Sequence, residues 1–426
     1  MAKISPFPAL RYNLSQVNAQ EVLTQPYDKI TPAMQEEYYA RSSYNLVRVI
    51  LGKPEAGDGD SANVYTRAKR YLHDWRASGV LTQDPEPSFY LYVQEFTVPG
   101  STATKRRSGL IAAGQLHDYA DKVVFRHEQT LAKPKSDRLN LLRATRTHAG
   151  QIFMLYTDPE KKVERLLANP GAPLVDVTDD YGVRNQLWRI SDAKTIAGIQ
   201  DALGDKKLMI ADGHHRYETA LAYRDERRAA AGKTDASASY ERVMMTLVNT
   251  ADEGLAILPT HRVVHGLKNL SVPDFLNKIS PDFEMEQIED GKKTLAEASS
   301  GTNLRLISKN GNYFLRARPE SVNRKLAHLS PAQRELDVIV LHKMLLEGAL
   351  GMSEESIRNQ EHIHYVREAD EATERVRKGE AEMAFLIEPV RIEEMEAVAF
   401  AGEVMPQKST DFYPKLLSGM TFYSLE

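Results

Sequence analysis

Between residues 208 and 216 the chain reads LMIADGHHR: a short apolar run that closes on Asp212, Gly213, His214, His215 and Arg216. An alanine-rich helical pattern follows at once. The apolar run predicts a buried strand, and Gly213 permits a backbone angle that side chains avoid. A helix starting there leaves its first N–H groups unpaired and turns the positive end of its dipole toward the corner. Such a corner suits a phosphate, and His214, His215 and Arg216 add side-chain donors at the same spot. Asp212 could hold Mg2+ there or orient a histidine. The plainer alternative is a helix cap whose polar residues face solvent.

Three further stretches carry chemistry. FRHEQT (125–130) sets His127 beside Glu128 in a loop, a carboxylate and imidazole suited to general-base work. MPQKSTDFYPK (405–415) presents Lys408, Ser409 and Thr410. Lys-Ser-Thr resembles the tail of a P-loop, but Gln407 stands where a glycine is needed and Pro414 blocks the helix that should follow. What remains is a loop whose lysine and hydroxyls could contact phosphate or a small polar substrate. HRVVH (261–265) spaces His261 and His265 as a helical zinc motif would, yet the segment follows Pro259 and reads as extended. With no third ligand in view, zinc is not expected, and Arg262 is the better candidate, as a phosphate contact. HIH (362–364) fits an alternating strand.

The elements that must position these residues are mixed. Thr31 and Pro32 predict a helix start, 64–81 reads as a helix stopping at Gly79, and 88–98 as a strand broken by TKRRSG before a hairpin partner at 110–116. A helix is expected over 136–147, capped by Ser136. Residues 186–226 read as strand, helix, strand, corner and helix; 330–351 as one amphipathic helix; and 365–390 as strand, helix and strand. Strands and helices without strict alternation indicate an α+β or irregular α/β fold. The absence of cysteine removes disulfides, thiolate nucleophiles, Cys-type zinc sites and Fe–S clusters. With 55 basic against 59 acidic residues, net −4, no general attraction for nucleic acid is expected. No apolar run approaches the roughly 18–20 residues that span a bilayer, and MAKISPFPAL lacks a signal peptide's apolar core. The expected address is the cytoplasm, with no membrane partner.

Taken in order, PYDKI, HEQT with DRL, ADGHHRYETA, LPTHRVVH and MPQKSTDFYPK, spread from residue 26 to 415, resemble the DUF1015 family of uncharacterised bacterial proteins. Through the same motifs the chain is similar, more distantly, to the free-serine kinases of the ParB/sulfiredoxin-like fold. The shared order is His127-Glu128-Gln129, then Asp212 to Arg216, then Lys378-Gly379-Glu380 and Gly402-Glu403-Val404 through Lys408 and Thr410. The resemblance implies an α+β protein with a ParB/sulfiredoxin-like nucleotide-binding core at 105–265. An N-terminal extension (1–104) packs on it, and a C-terminal α/β domain (266–426) closes the site.

By the same resemblance Glu128 is the catalytic base, assisted by Asp212. Gly213, His214, His215 and Arg216 cradle the phosphates, with His127 and Arg262 beside them, and Lys408, Ser409 and Thr410 hold the substrate. ATP or ADP would be the donor, Mg2+ the metal with Asp212 as ligand, and a small hydroxyl compound such as L-serine the acceptor. Two departures stand out: the first 100 or so residues have no counterpart in the kinases, and Asp411-Phe412-Tyr413 replaces their pattern after the threonine. The alternative is a ParB-type nucleotide-binding or nucleotide-hydrolysing switch, whose DNA version the acidic charge and the strand-like sequence after 230 disfavour. A non-catalytic binder is a third reading. Glu128 separates it from the others, since a carboxylate near bound phosphates repels them.

Overall fold

The computed structural model describes residues 2–128, 132–168, 170–267, 270–289 and 302–426, and every side chain within them outside 132–135. Gln129 and Thr130 of the HEQT motif lie outside the described residues. The chain packs as two compact units, Met1–Arg126 with Thr130–Leu255 and Pro414–Glu426, and His127–Gln129 with Ala256–Tyr413. These boundaries differ from the 104 and 265 expected from the sequence, because residues 1–104 supply strands to the first unit's main sheet and the last thirteen residues return to it.

In the first unit the strands are β1 (Ile4–Ser5), β2 (Phe89–Thr97), β3 (Thr104–Gln115), β4 (Val124–Phe125), β5 (Ile152–Tyr156), β6 (Val175–Thr178), β7 (Arg184–Ile190), β8 (Leu208–Asp212) and β9 (Arg242–Asn249). Among the described residues they form a nine-stranded mixed sheet in the order β4-β8-β5-β9-β3-β2-β7-β6, with β1 on β3. β8 runs parallel to β4, pairing Met209 with Phe125, and β9 runs parallel to β5; the other pairings are antiparallel. TKRRSG does not break the hairpin as expected. It lies inside β3, with Arg107 opposite Gln94 and Arg106 opposite Glu95. Charge pattern alone reads as a breaker, whereas here a buried arginine finds partners within the sheet.

The helices are α1 (Pro32–Arg41), α2 (Val64–Ala77), α3 (Ala132–Thr145), α4 (Ala193–Leu203) and α5 (His214–Ala231). α1 is capped as expected, the Thr31 side chain accepting from the Met34 N–H behind Pro32. α3 begins four residues before Ser136, so Ser136 lies inside the helix and does not cap it. One face of the sheet buries Leu91, Leu110, Ile152, Ile210 and Met245 against Tyr217 and Ala220 of α5. Tyr217, Ala220 and Arg224 recur at helical spacing and are almost fully buried, which seats α5 and therefore its N-terminus.

The second unit holds β10 (Ala256–Leu258), β11 (His261–Val264), β12 (Phe283–Ile288), β13 (Asn303–Ser308), β14 (Gly311–Ala317), β15 (Ile363–Val366), β16 (Met383–Leu386) and β17 (Asp411–Tyr413). Six form an antiparallel sheet in the order β12-β14-β13-β16-β11-β15, and β10 pairs with β17. α6 (Ala369–Lys378) packs on the sheet through Ala372 and Val376. The single helix expected over 330–351 is instead broken at Leu336, whose extended backbone separates a short turn at Pro331–Arg334 from one at Asp337–Val340 that runs on into a π-helix over Leu341–Ala349. Apolar spacing does not distinguish a π from an α path. The class is mixed α+β, and among the described residues no helix is long and apolar enough to cross a membrane.

Candidate functional site

The corner after β8 forms as its residue types require. Leu208 to Ala211 are buried, the ladder to β5 shifts register between Ile210 and Asp212, and Gly213 takes φ +95°. A Cβ there would lie 3.1 Å from the Arg216 guanidinium, in a backbone region that side chains rarely enter. α5 starts immediately, and its N-cap residue, Gly213, has no side chain with which to cap it. His214 is buried and His215 half-buried.

Arg216 does not point into solvent. Its Nη2 donates to Asp212 Oδ2 at 2.6 Å and its Nη1 to the Gln151 carbonyl. The other Asp212 oxygen, Oδ1, accepts from Lys415 Nζ at 3.3 Å. Burial alone would raise the Asp212 carboxyl, but Lys415, Arg216, Lys29 and His214 together hold it well below the usual carboxylate range. Arg216 and Lys415 thus meet one carboxylate at a helix N-terminus, with Lys29 acting on it as well. Tyr27, with Arg138 stacked 4.2 Å from its ring centroid, lines a cavity of about 80 Å³ that reaches Arg216 and counts Ile50, Leu142 and His148 among its walls.

Asp212 fits poorly as a metal ligand, since both its oxygens are taken by cations. Among the described residues no group of three acidic or imidazole donors converges on a point. The residues present therefore supply no protein-held Mg2+ cage.

Sequence reasoning missed Lys415, although it lies inside a motif singled out there. A buried polar network on the sheet delivers it. Arg107, 1 % exposed, donates to the Pro414 carbonyl at 2.6 Å and to Gln94 Oε1. Gln94 Nε2 donates to the Lys415 carbonyl at 3.0 Å, Tyr92 Oη accepts the Leu417 N–H, and Gln151 Nε2 donates to the Leu417 carbonyl. Residues 414–417 are thus strapped to the sheet, with the Lys415 ammonium on Asp212. The only local signal was a charged residue, Arg107, in an otherwise apolar strand.

The second cluster belongs to the other unit. Glu128 Oε1 accepts from the Ser409 N–H at 3.0 Å, the Thr410 N–H at 3.1 Å and Thr410 Oγ1 at 3.2 Å. Fully buried His127 sets Nε2 2.9 Å from Thr410 Oγ1. Lys408 is exposed at φ +59°, the turn that presents two successive N–H groups to the carboxylate. Ser409 is buried, its hydroxyl donating to the Pro406 carbonyl at 2.6 Å. Among the described residues every hydrogen bond to Glu128 falls on Oε1.

Arg262, expected to meet phosphate, is instead fully buried. It donates to the Lys408 carbonyl at 3.2 Å, to the Thr260 carbonyl and to His342 Nε2 at 3.3 Å, and lies 5.0 Å from the Tyr365 ring centroid. Burial pushes its guanidinium down to about 10, against the pull of Tyr365 and Glu128, so it stays charged at neutral pH. Its place is beneath the 408–410 loop, which it positions. His342 reaches it from the π-helix that replaced the expected α path.

A search of curated proteins finds no match. Among solved structures, the chain is similar to a free serine kinase in complex with AMP, at 13% identity, with 73% of this chain and 92% of that one covered and a TM-score of 0.36. It is also similar to a conserved hypothetical protein from Pyrococcus furiosus (15% identity, 71% and 90% covered, TM-score 0.34). The third is SbnI with a C-terminal truncation from Staphylococcus aureus (11% identity, 72% and 85% covered, TM-score 0.37). At such TM-scores these likenesses carry no weight for fold or function. The family model described as "Protein of unknown function (DUF1015)" matches residues 4–339, more than half of the chain, and the chain belongs to that family.

Proposed function

We propose that this protein transfers a phosphoryl group from ATP or ADP to the hydroxyl of a small molecule, with L-serine as the first acceptor to test. The observation that carries this is the corner after β8, where the N-terminus of α5 meets the Arg216 and Lys415 cations around Asp212. Phosphate binding falls to the N-terminus of α5, where the helix dipole and the donors of Arg216 and Lys415 favour a polyphosphate. Base catalysis falls to Glu128. The acceptor oxygen attacks the terminal phosphorus, its proton passes to Glu128 Oε2, and the bond to the shortened nucleotide breaks. The products are a phosphomonoester and a nucleotide with one phosphate fewer. Mg2+ would arrive with the nucleotide, held by its phosphates and water. A ParB/sulfiredoxin-like core for the first unit, and a cytoplasmic setting, belong to the same proposal.

One observation favours a second reading, a nucleotide-controlled switch: Glu128 Oε1 is already occupied as a loop cap. Phosphorus NMR with Mg2+, L-serine, and ATP or ADP in turn separates the two. A phosphoserine signal that vanishes in Glu128→Gln supports the kinase, because the amide oxygen preserves the cap and removes only the base. Nucleotide binding without any phosphomonoester, from either donor, would overturn the serine-kinase reading and leave the switch.

A further inference from the structure

The main sheet of the first unit carries a second concavity, away from the corner. Leu247 of β9 stands opposite Leu110 of β3, and Leu110 opposite Leu91 of β2. Directly opposed residues share a face of the sheet, so these three buried leucines form one apolar row. Met154 of β5 pairs with Leu247 and extends the row, and Tyr156, two residues on, shares its face. The corner meets β5 at Phe153, near the strand's start, whereas Tyr156 ends it.

A short helix, Lys162–Leu166, follows β5 and brings Val163, Glu164 and then Leu167 to this row. Together they line a cavity of about 370 Å³. That volume falls within the roughly 300–1,000 Å³ of small-molecule sites. Hydrogen bonds fix its walls. Asp158 Oδ2 accepts the Lys162 N–H at 2.8 Å, and Asp158 and Asn249 of β9 exchange two more bonds, at 2.9 and 2.7 Å. On the rim, both oxygens of Asp252 are taken, by the Ser108 and Gly254 N–H groups at 3.0 and 2.7 Å. The rim cations also face carboxylates, Lys161 with Glu253 at 3.8 Å and Arg106 with Glu95 at 3.7 Å.

Glu164 differs. Its Oε1 accepts from Tyr156 Oη at 3.3 Å, whereas its buried Oε2 has no hydrogen-bond partner among the described residues. A buried carboxylate oxygen left without a donor is costly, and a cationic N–H group is the donor that satisfies it most strongly. We propose that this cavity binds a small primary amine with an apolar or aromatic body. The body rests on the leucine row against Val163 and Leu167, and the ammonium donates to Glu164. An anionic ligand finds no comparable partner, because Lys161 and Arg106 are already matched. The site shares no residue with the corner and is independent of the proposed phosphoryl transfer.

Calorimetric titration of the full chain with phenethylamine, and with phenethyl alcohol and hydrocinnamate as its neutral and anionic counterparts, tests the proposal. The expected result is one saturable amine per chain, bound about tenfold or more tighter than the alcohol or the carboxylate. Glu164→Gln keeps an acceptor for Tyr156 and removes the charge, so it should erase the amine's advantage. Ala168→Trp, at an exposed position of the cavity lining, should weaken amine binding about tenfold or more by filling the space, without touching the core. It carries the test if Glu164→Gln fails to fold. Absence of saturable amine binding, alcohol or hydrocinnamate bound as tightly as the amine, or amine affinity unchanged in either variant overturns the proposal.

Discussion

Glu128 caps the 408–410 loop with one carboxylate oxygen, so substitutions there separate that cap from the base role proposed for the residue. Glu128→Ala leaves two N–H groups and a hydroxyl without their acceptor and should destabilise the chain by about 1–3 kcal/mol in urea unfolding. Glu128→Gln should cost well under half of that while abolishing phosphomonoester formation. Equal destabilisation by both would show that the carboxylate charge, rather than its acceptor oxygen, holds the loop. The residue-level chemistry was legible to an uneven degree. The corner residues stand where the sequence places them, since a buried strand, a glycine and a helix start are local signals. Lys415 was hidden, because its partner Asp212 is brought to it by long-range pairing.

At the level of elements, the strap over the sheet and strand β11 of the second unit each make a measurable claim. Arg107 joins Pro414 and Gln94 inside the sheet, and Gln94 in turn holds Lys415. Arg107→Met keeps the apolar stem but leaves these acceptors unpaired, and should lower stability by about 2–4 kcal/mol. Nucleotide binding should weaken with it, as Lys415 is freed from its register; affinity equal to that of the native chain would refute the strap's role. On β11, His261 is 5 % exposed and its Nδ1 accepts the Ile387 N–H at 3.2 Å. Burial, then Arg262 and Arg305, push its imidazole down to about 4. The folded value is below the unfolded one, so the stability that depends on a neutral ring is complete above about pH 6.5. It is lost as the pH falls from there to about 4, by about 3 kcal/mol in all. Urea midpoints measured across that window should fall in the native chain and fall less in His261→Gln, whose side-chain carbonyl can still accept from Ile387.

For the whole molecule, the returning C-terminus is decisive. The second unit is inserted between Leu255 and Pro414 of the first, whose last thirteen residues bury Leu417, Met420 and Phe422. Each such side chain contributes about 1.5–3 kcal/mol by burial. A chain ending at Tyr413 should therefore lose the cooperative unfolding transition of the first unit, read by calorimetry, along with nucleotide binding. An unchanged transition would show that the strap is an accessory. The net charge of −4 suits small anionic ligands only through local patches such as the corner, and gives no general pull on nucleic acid.

By itself, the sequence determined the mixed class, the strand-to-helix corner at Gly213 and the Thr31 cap, because each depends on neighbours within a few residues. It also determined the family through motifs spread over the chain. Tertiary structure alone decided that Asp212 pairs with Lys415. It decided, too, that Arg262 supports a loop from inside and that His265 meets His362 and His364. All three depend on strand register and return of the chain across a hundred residues or more. Hydrophobic period and charge pattern carry no information about which distant side chain a fold will set opposite.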